Sequence, residues 1–422
     1  MLLAVSGGSD SMALLQGAEA LARAGVRIGV ATVDHGLRPD AAAEAAGVAA
    51  AARRRGFPHW TLCWTGPKPA TGLPAAARRA RYRLLADCAE RQGFGAIATG
   101  HTLDDQAETL WMRLARGAGE GLGAMAPLSR IAAGPGRPVK LWRPFLDLRR
   151  ADLRAALDRA QIAYVDDPSN DDPAYERPRV RALLAEGGVD VANLTLSAAR
   201  IREAAAARGR ETSAAFDRAR GVFHHWGGAS FSAGGVDETT AGALFAAAIW
   251  AVSGTERRPD ANDAARALET MRAQKTTPGR TSLGGAILER RNGAIVVYRE
   301  PAALLGRTGA PAIAPTPIAP TPIAPGERAL WDGRFIVENA AAAMREIAPY
   351  GALADDHDPG SASFAGPRAA LASVPALVPA SDPSLASAGG RFGDGVASPV
   401  YGADPTFRSL AAERFFAPVT RF

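Results

Sequence analysis

The chain has 422 residues, 47% of them hydrophobic and 22% charged, with a mean hydropathy of -0.06; this balance excludes wholesale disorder, and the length gives two or three domains with a core each. No apolar run reaches the roughly 18 residues that a membrane span needs, and the apolar start at residues 1–5 has no basic segment ahead of it, so a cytoplasmic protein without membrane attachment is expected. The net charge of +6 is uneven: residues 1–210 hold 29 Lys+Arg against 22 Asp+Glu, whereas residues 301–422 hold 9 against 11, which places an anionic partner on the first half.

Residues 1–116 alternate short apolar runs with helical stretches, the pattern of βαβ units in a parallel doubly wound α/β sheet. Strands are predicted over 2–5, 27–33, 59–64 and 96–99, and helices over 11–24, 39–55, 74–92 and 103–116. Such sheets bind ligands at the carboxyl ends of their strands, so the loops after each strand are the places to search. A polar, turn-rich stretch over 166–178 closes a first domain of residues 1–190. Residues 191–300 read as a helical domain, with amphipathic helices over 195–220 and 239–253. It ends in a β-hairpin whose arms, 286–289 and 294–298, flank Arg291-Asn292-Gly293, where Asn-Gly favours a type I′ turn. Residues 301–326 contain seven prolines and two tandem copies of TPIAP, at 316–320 and 321–325, and read as a polyproline-type spacer. Residues 327–422, with scattered Pro and Gly, read as a small C-terminal α+β or β-containing unit. Cys63 and Cys88 form no CxxC pair and sit in apolar segments, where a buried thiol is expected.

The strongest chemical signal is Ser6-Gly7-Gly8-Ser9-Asp10-Ser11, directly after the first strand and opening the first helix. Adjacent glycines let successive amides face one concavity, three serines add hydroxyl donors, and the helix N-terminus adds positive potential; together these make a phosphate cradle. The alternative is a turn that merely caps a helix. No GxxxxGK[ST] occurs, which disfavours γ-phosphoryl transfer. Further candidates follow the later strands and helices. Asp34-His35-Gly36-Leu37-Arg38 comes after the second strand, Ala77-Arg78 and Arg81-Tyr82 lie on the third helix, and Thr99-Gly100-His101-Thr102-Leu103-Asp104-Asp105-Gln106-Ala107-Glu108-Thr109 follows the fourth strand. Thr102–Asp105 also reads as a capping box, so capping is the local alternative for Asp105. Glu108 reads equally as a site residue or as part of a solvated helix face, and a flexible surface loop is the alternative for Gly117, Gly119, Gly121 and Gly123. Asp34 reads alternatively as a cap.

The hexapeptide matches the SGGxDS loop of the PP-loop ATP pyrophosphatases. The succession of motifs, with Arg116-Gly117-Ala118-Gly119, Arg143-Pro144-Phe145-Leu146, Asp167-Pro168-Ser169-Asn170 and the Arg177, Arg179, Arg181 cluster, resembles the tRNA(Ile)-lysidine synthase family within that superfamily. Leu330-Trp331-Asp332-Gly333-Arg334-Phe335 is similar to the C-terminal part of some members. The resemblance implies ATP-dependent joining of free L-lysine to carbon 2 of the wobble cytidine in an isoleucine tRNA with a CAU anticodon, through an adenylated base, with release of pyrophosphate and AMP. It implies catalytic roles for Asp10, Arg78, His101 and Asp105. ATP would bind at Ser6, Gly7, Gly8, Ser9, Asp10, Ser11, Asp34 and His35, Mg²⁺ at Asp10 and Asp105, and tRNA at Arg177, Arg179 and Arg181, with Arg149, Arg150 and Arg154 as further footprint. A PP-loop thiolation enzyme and an ATP-binding module without turnover are the alternatives, and the oligomeric state, a homodimer included, stays open. Thr102 stands where the family commonly has a second His, and Pro178 where it has Asn. Five residues precede Ser6, fewer than the family generally has, so a start upstream of Met1 is expected.

Overall fold

The computed structural model describes residues 1–37, 39–66, 68–117, 120–131, 139–166, 176–255, 258–275, 278–305, 321–332, 334–349, 367–379, 407–409 and 411. Arg38, Ala118-Gly119, Asp167-Pro168-Ser169-Asn170, residues 306–320 of the Pro-rich segment, Gly333 and much of 350–422 lie outside the described residues. The chain divides into two compact units, Met1–Arg208 and Gly209–Pro418.

The first unit follows the predicted order: β1 (Leu2–Ala4), α1 (Ser9–Arg23), β2 (Gly29–Asp34), α2 (Ala41–Arg54), β3 (His59–Cys63), α3 (Leu73–Arg91), β4 (Ala96–Thr99) and α4 (Leu103–Ala115). It continues through β5 (Leu128–Ile131), β6 (Val139–Trp142), α5 (Arg150–Arg159) and α6 (Glu176–Glu186) into α7 (Val191–Arg218). The sheet runs β3-β2-β1-β4-β6-β5, all parallel except the antiparallel edge strand β5. β1 is central, so both its faces are covered and its sequence is apolar throughout. Leu3 and Val5 pack with α1, α2 and α5, while Leu2 and Ala4 pack with α3; each buried Leu contributes roughly 1.5–3 kcal/mol. From β1 the chain winds outward through β2 to β3 and returns on the other side at β4. The switch point therefore lies between the carboxyl ends of β1 and β4. There Gly100 touches the first turn of α1: a Cβ at Gly100 would fall 2.6 Å from the Asp10 carbonyl oxygen.

The boundary expected after residue 190 falls at 208 instead, inside α7. The reason is packing, since Val191 and Leu194 cover the patch formed by Ala107, Val180 and Leu184 of α4 and α6, which ties the start of α7 to the first unit.

In the second unit, β7 (Val222–Phe223), β8 (Ala229–Ser232), β9 (Gly279–Leu283), β10 (Ala286–Arg291) and β11 (Ala294–Arg299) form an antiparallel sheet ordered β7-β8-β11-β10-β9. The helices α8 (Glu238–Ser253) and α9 (Ala261–Ala273) pack on it. The β10–β11 hairpin turns at Asn292 and Gly293, with φ of 48° and 75°, as a type I′ turn demands. The region is thus mixed rather than only helical, because alternate residues such as Ala286, Leu288, Ile295 and Val297 bury one sheet face against α8 and α9. Its other face, including Val296 and Tyr298, joins the core of the C-terminal strands. Those are β12 (Thr321–Ile323), β13 (Arg328–Trp331), β14 (Phe335–Glu338), β15 (Arg345–Pro349), β16 (Pro375–Pro379) and β17 (Phe407–Ser409), in sheets ordered β12-β15-β16 and β13-β14-β17. The second TPIAP copy is therefore partly strand; Pro322 is tolerated because β12 is an edge. Among the described residues no helix is long and apolar enough to cross a membrane.

Candidate active site

The loop between β1 and α1 is held open by its own hydroxyls. Ser6 N donates to Ser11 Oγ at 3.1 Å, and Ser11 Oγ donates to Gly8 O at 2.9 Å. Gly7 takes φ +97°, a conformation side chains rarely adopt. Gly8 caps α1 with no side-chain hydrogen bond, so the first-turn amides face the crevice as donors without side-chain acceptors. Val165 lies alongside, its N donating to Gly7 O at 3.0 Å.

Across the crevice, Thr102 and Asp105 form a reciprocal capping box at the start of α4. Thr102 Oγ1 and N both donate to Asp105 Oδ2 at 2.9 Å. The other oxygen, Oδ1, receives Arg150 Nη2 at 3.1 Å. Asp105 therefore both caps and faces the site, one oxygen for each task. Thr102, fully buried, does the capping where the family commonly has a second His. Asp104 turns away: it accepts from Arg150 N at 2.7 Å and pairs with Arg149 at 3.1 Å, fixing the start of α5.

Arg150 is the centre of the constellation. Its Nε donates to Asp10 Oδ2 at 2.9 Å, its Nη2 to Asp105, and its Nη1 lies 3.6 Å from Glu108 Oε1. Glu108 is itself buried and accepts from Arg181 Nε at 2.9 Å. One turn further along α5, Arg154 Nε reaches Ser9 Oγ at 3.3 Å and pairs with Asp166. Burial raises the Asp10 carboxyl above the ordinary range, with Arg150 opposing it. Burial likewise raises Glu108, and the neighbouring Asp105 charge adds to it. For Asp105 burial works upward but is outweighed by Arg150 and the Thr102 N–H, which hold it low.

His101 bonds the Thr99 hydroxyl through Nδ1 at 2.8 Å and is pushed down to about 3 by burial, with Arg81, Arg143 and Arg78 reinforcing the neutral form. Arg78 lies 5.1 Å from the Tyr82 ring centroid; burial lowers its pKa, and the Arg177, Arg81 and Arg143 charges add to that. These arginines make one wall of the crevice a rim for anions. Asp34 Oδ1 accepts from Gly36 N at 2.8 Å, closing the turn after β2. His35 stands edge-on to Trp64 at 6.0 Å, and its buried Nδ1 has no hydrogen-bond partner among the described residues.

The structure thus brings Ser6, Gly7, Gly8, Ser9, Asp10, Ser11, His101 and Asp105 to the one switch point. Arg78 joins them through the arginine rim, while Asp34 ends β2 and His35 follows it, beside Trp64 after β3. Of the expected tRNA cluster, Arg179 is exposed, Arg177 acts on Arg78 and Asp105, and Arg181 is engaged by Glu108. Arg150, read in the sequence as part of the tRNA footprint, lies inside the carboxylate cluster instead, because the start of α5 is fixed by Asp104. Sequence reasoning also missed the fixing of the glycine-rich loop. Gln106 grips Met125 at both N and O (2.7 and 2.8 Å), Arg113 holds Ala124 O, and Arg202 holds Gly123 O, so 123–125 is clamped rather than a free surface loop. Two polar side chains in reach of one loop, Gln106 and Arg113 on α4, were the available signal. Cys88 is buried as expected, whereas Cys63 is exposed; both are free.

The family profile described as a PP-loop domain matches residues 1–201. The tRNA(Ile)-lysidine synthase of Methylobacterium nodulans is 42% identical over 320 residues, which cover 72% of this chain and 92% of that one. The chain belongs to the tRNA(Ile)-lysidine synthase family. The lysidine synthase of Mesorhizobium japonicum matches over 408 residues at 38% identity, 89% of this chain and 82% of its own. That of Bradyrhizobium diazoefficiens is 53% identical over a shorter span of 216 residues, 49% of this chain and 58% of its own. As a PP-loop lysidine synthase relative, the chain has an ATP-binding α/β domain in its first unit, where the crevice described above lies.

Proposed function

We infer that the protein is an ATP-dependent ligase that forms lysidine in isoleucine tRNA, using free L-lysine and the wobble cytidine of the CAU anticodon. The observation that carries this reading is the meeting of the SGGSDS loop, Asp105 and the arginine rim at one switch point, in a chain of this family. In the first step oxygen 2 of the base attacks the α-phosphorus of ATP and pyrophosphate leaves; in the second the lysine amine attacks carbon 2 and AMP leaves. The amides of the loop and the hydroxyls of Ser6 and Ser9 bind the phosphates, while Ser11 holds the loop through Ser6 N and Gly8 O. Arg78 and neutral His101, through the ring nitrogen not bonded to Thr99, donate to the charge that develops on the transferred group. Asp34 and His35 line the nucleoside side. A protonated amine is no nucleophile. Glu108, with a raised pKa and an Oε2 that has no hydrogen-bond partner among the described residues, is the base this crevice offers.

Asp10 and Asp105 already converge on one cationic group, which fits them to hold Mg²⁺ together with phosphate oxygens, the usual donor set for that ion; the ion would neutralise phosphate charge. Arg177 and Arg179 supply phosphate contacts to the tRNA, with Arg181 holding Glu108. The test is incubation of the protein with ATP, lysine and a CAU-anticodon isoleucine tRNA. The expected products are pyrophosphate, AMP and a wobble nucleotide heavier by lysine less one water. Release of ADP and inorganic phosphate, or pyrophosphate release that does not depend on the tRNA, overturns the reading.

A further inference from the structure

Three carboxylates, Asp10, Asp105 and Glu108, each face a different nitrogen of one guanidinium, at 2.9, 3.1 and 3.6 Å. A planar fork offers each carboxylate its own nitrogen, whereas an ammonium, whose three N–H groups share one nitrogen, would have to draw the three oxygens closer together. Arg181 is the other arginine that contacts these carboxylates among the described residues, and buried Glu108 Oε2 has no hydrogen-bond partner among them. The backbone of Arg150 is fixed, its N donating to Asp104 Oδ2 at 2.7 Å. Its side chain retains 19% exposure, so it reaches solvent while α5 stays in place. Without a cation, like charges brought this close repel, and the pocket would splay or protonate. A hard divalent ion takes carboxylate oxygens of the kind that Arg150 now occupies.

We infer that Arg150 is the internal counter-cation of this site: in the nucleotide-free protein it keeps Asp10, Asp105 and Glu108 converged, and it competes with the divalent ion for Asp10 and Asp105. Arg150 is a positioning residue. The inference rests on the reading that a nucleotide with its divalent ion binds in this crevice.

The test uses the full chain without nucleotide and Mn²⁺ alone as probe, with free Mn²⁺ read by electron paramagnetic resonance. Arg150→Gln is expected to bind Mn²⁺ at least tenfold more tightly than the parent. Arg149→Gln removes a neighbouring charge that is paired to Asp104 rather than to the cluster, and is expected to shift the affinity less than threefold. Arg150→Lys keeps the charge but not the fork, and is expected to fall between parent and Arg150→Gln, at least threefold tighter than the parent. If Arg150→Gln does not melt cooperatively, Arg150→Lys carries the test by that threshold. Equal affinities for Arg150→Gln and Arg149→Gln, weaker binding by Arg150→Gln, an unchanged affinity in Arg150→Lys when it carries the test, or no measurable Mn²⁺ binding in any variant overturns the inference. Lysidine formation by the parent is scored separately. A parent that makes lysidine while the two Gln variants match discards only the role of Arg150; a parent that makes none while Arg150→Gln gains tenfold discards only the proposed reaction.

Discussion

Two arginine–aspartate clusters lie in different units of this molecule, and they are built to opposite rules. At the switch point one guanidinium serves three carboxylates, its side chain keeps 19% exposure, and one carboxylate oxygen has no hydrogen-bond partner among the described residues. In the second unit Asp332 is shared by two arginines: Arg299 contacts both its oxygens at 3.2 Å, and Arg334 Nε lies 2.5 Å from Oδ2. Arg334 is 2% exposed, stacks near Trp331 and Phe335 at 5.6 and 5.0 Å, and donates to Ser373 O. Gly254 closes over this cluster so tightly that a Cβ would fall 2.2 Å from Asp332 O. Burial pulls Arg334 down to about 10, with Asp332 working against it. A cluster whose guanidiniums are sealed against Asp332 and backbone carbonyls serves the fold, whereas one that keeps an opening to solvent and a carboxylate oxygen without a partner among the described residues is poised for a ligand.

The comparison can be broken most decisively in the second unit. Asp332→Ala leaves two buried arginines without their carboxylate and is expected to lower stability by about 3–5 kcal/mol, read as the urea midpoint, with ATP affinity within twofold of the parent. A loss under about 1 kcal/mol would remove the distinction between the clusters. At the switch point the effects should invert. Asp10→Ala and Asp105→Ala are each expected to slow adenylation at least tenfold, about 1.4 kcal/mol of barrier, read as tRNA-dependent pyrophosphate release. Asp10→Ala should melt near the parent, and Asp105→Ala about 1 kcal/mol lower for the lost cap. Parent rates in both variants would refute the site.

The smallest expected effect sharpens the electrostatics. His101 has an ordinary pKa of 6.5 when unfolded and about 3 when folded, so the unfolded chain binds its proton more tightly. Its contribution to stability is present above pH about 6.5 and is lost as the pH falls toward 3. Urea midpoints measured at successive pH values through that window should fall less steeply in His101→Asn than in the parent; parallel slopes would mean that the ring is not held neutral.

Local signals carried much of the site into the sequence. The SGGSDS loop needs only its own glycines, serines and the helix it opens, so its conformation is written in six consecutive residues. The Thr102–Asp105 box is a contact three residues apart, and it emerged as read. The Asn292-Gly293 hairpin did too, for the same reason. Glu108 was ambiguous because helical spacing gives a face but not what covers it; Arg181, 73 residues away, covers it. Arg150 was misplaced for the same cause at longer range, 140 residues from Asp10. An arginine beside another arginine at a helix start reads as surface charge until the docking of α5 on α1 is known.

The sequence by itself determined the alternation of strands and helices, the phosphate-binding turn and the caps, since each rests on side chains and backbone within a few positions of one another. The tertiary structure alone decided which arginines face carboxylates and which face solvent, where α7 divides its packing, and that the C-terminal stretch seals an ion cluster. Those outcomes depend on the winding of the sheet and on the close approach of distant backbones, for which no short-range pattern of residue types carries a record.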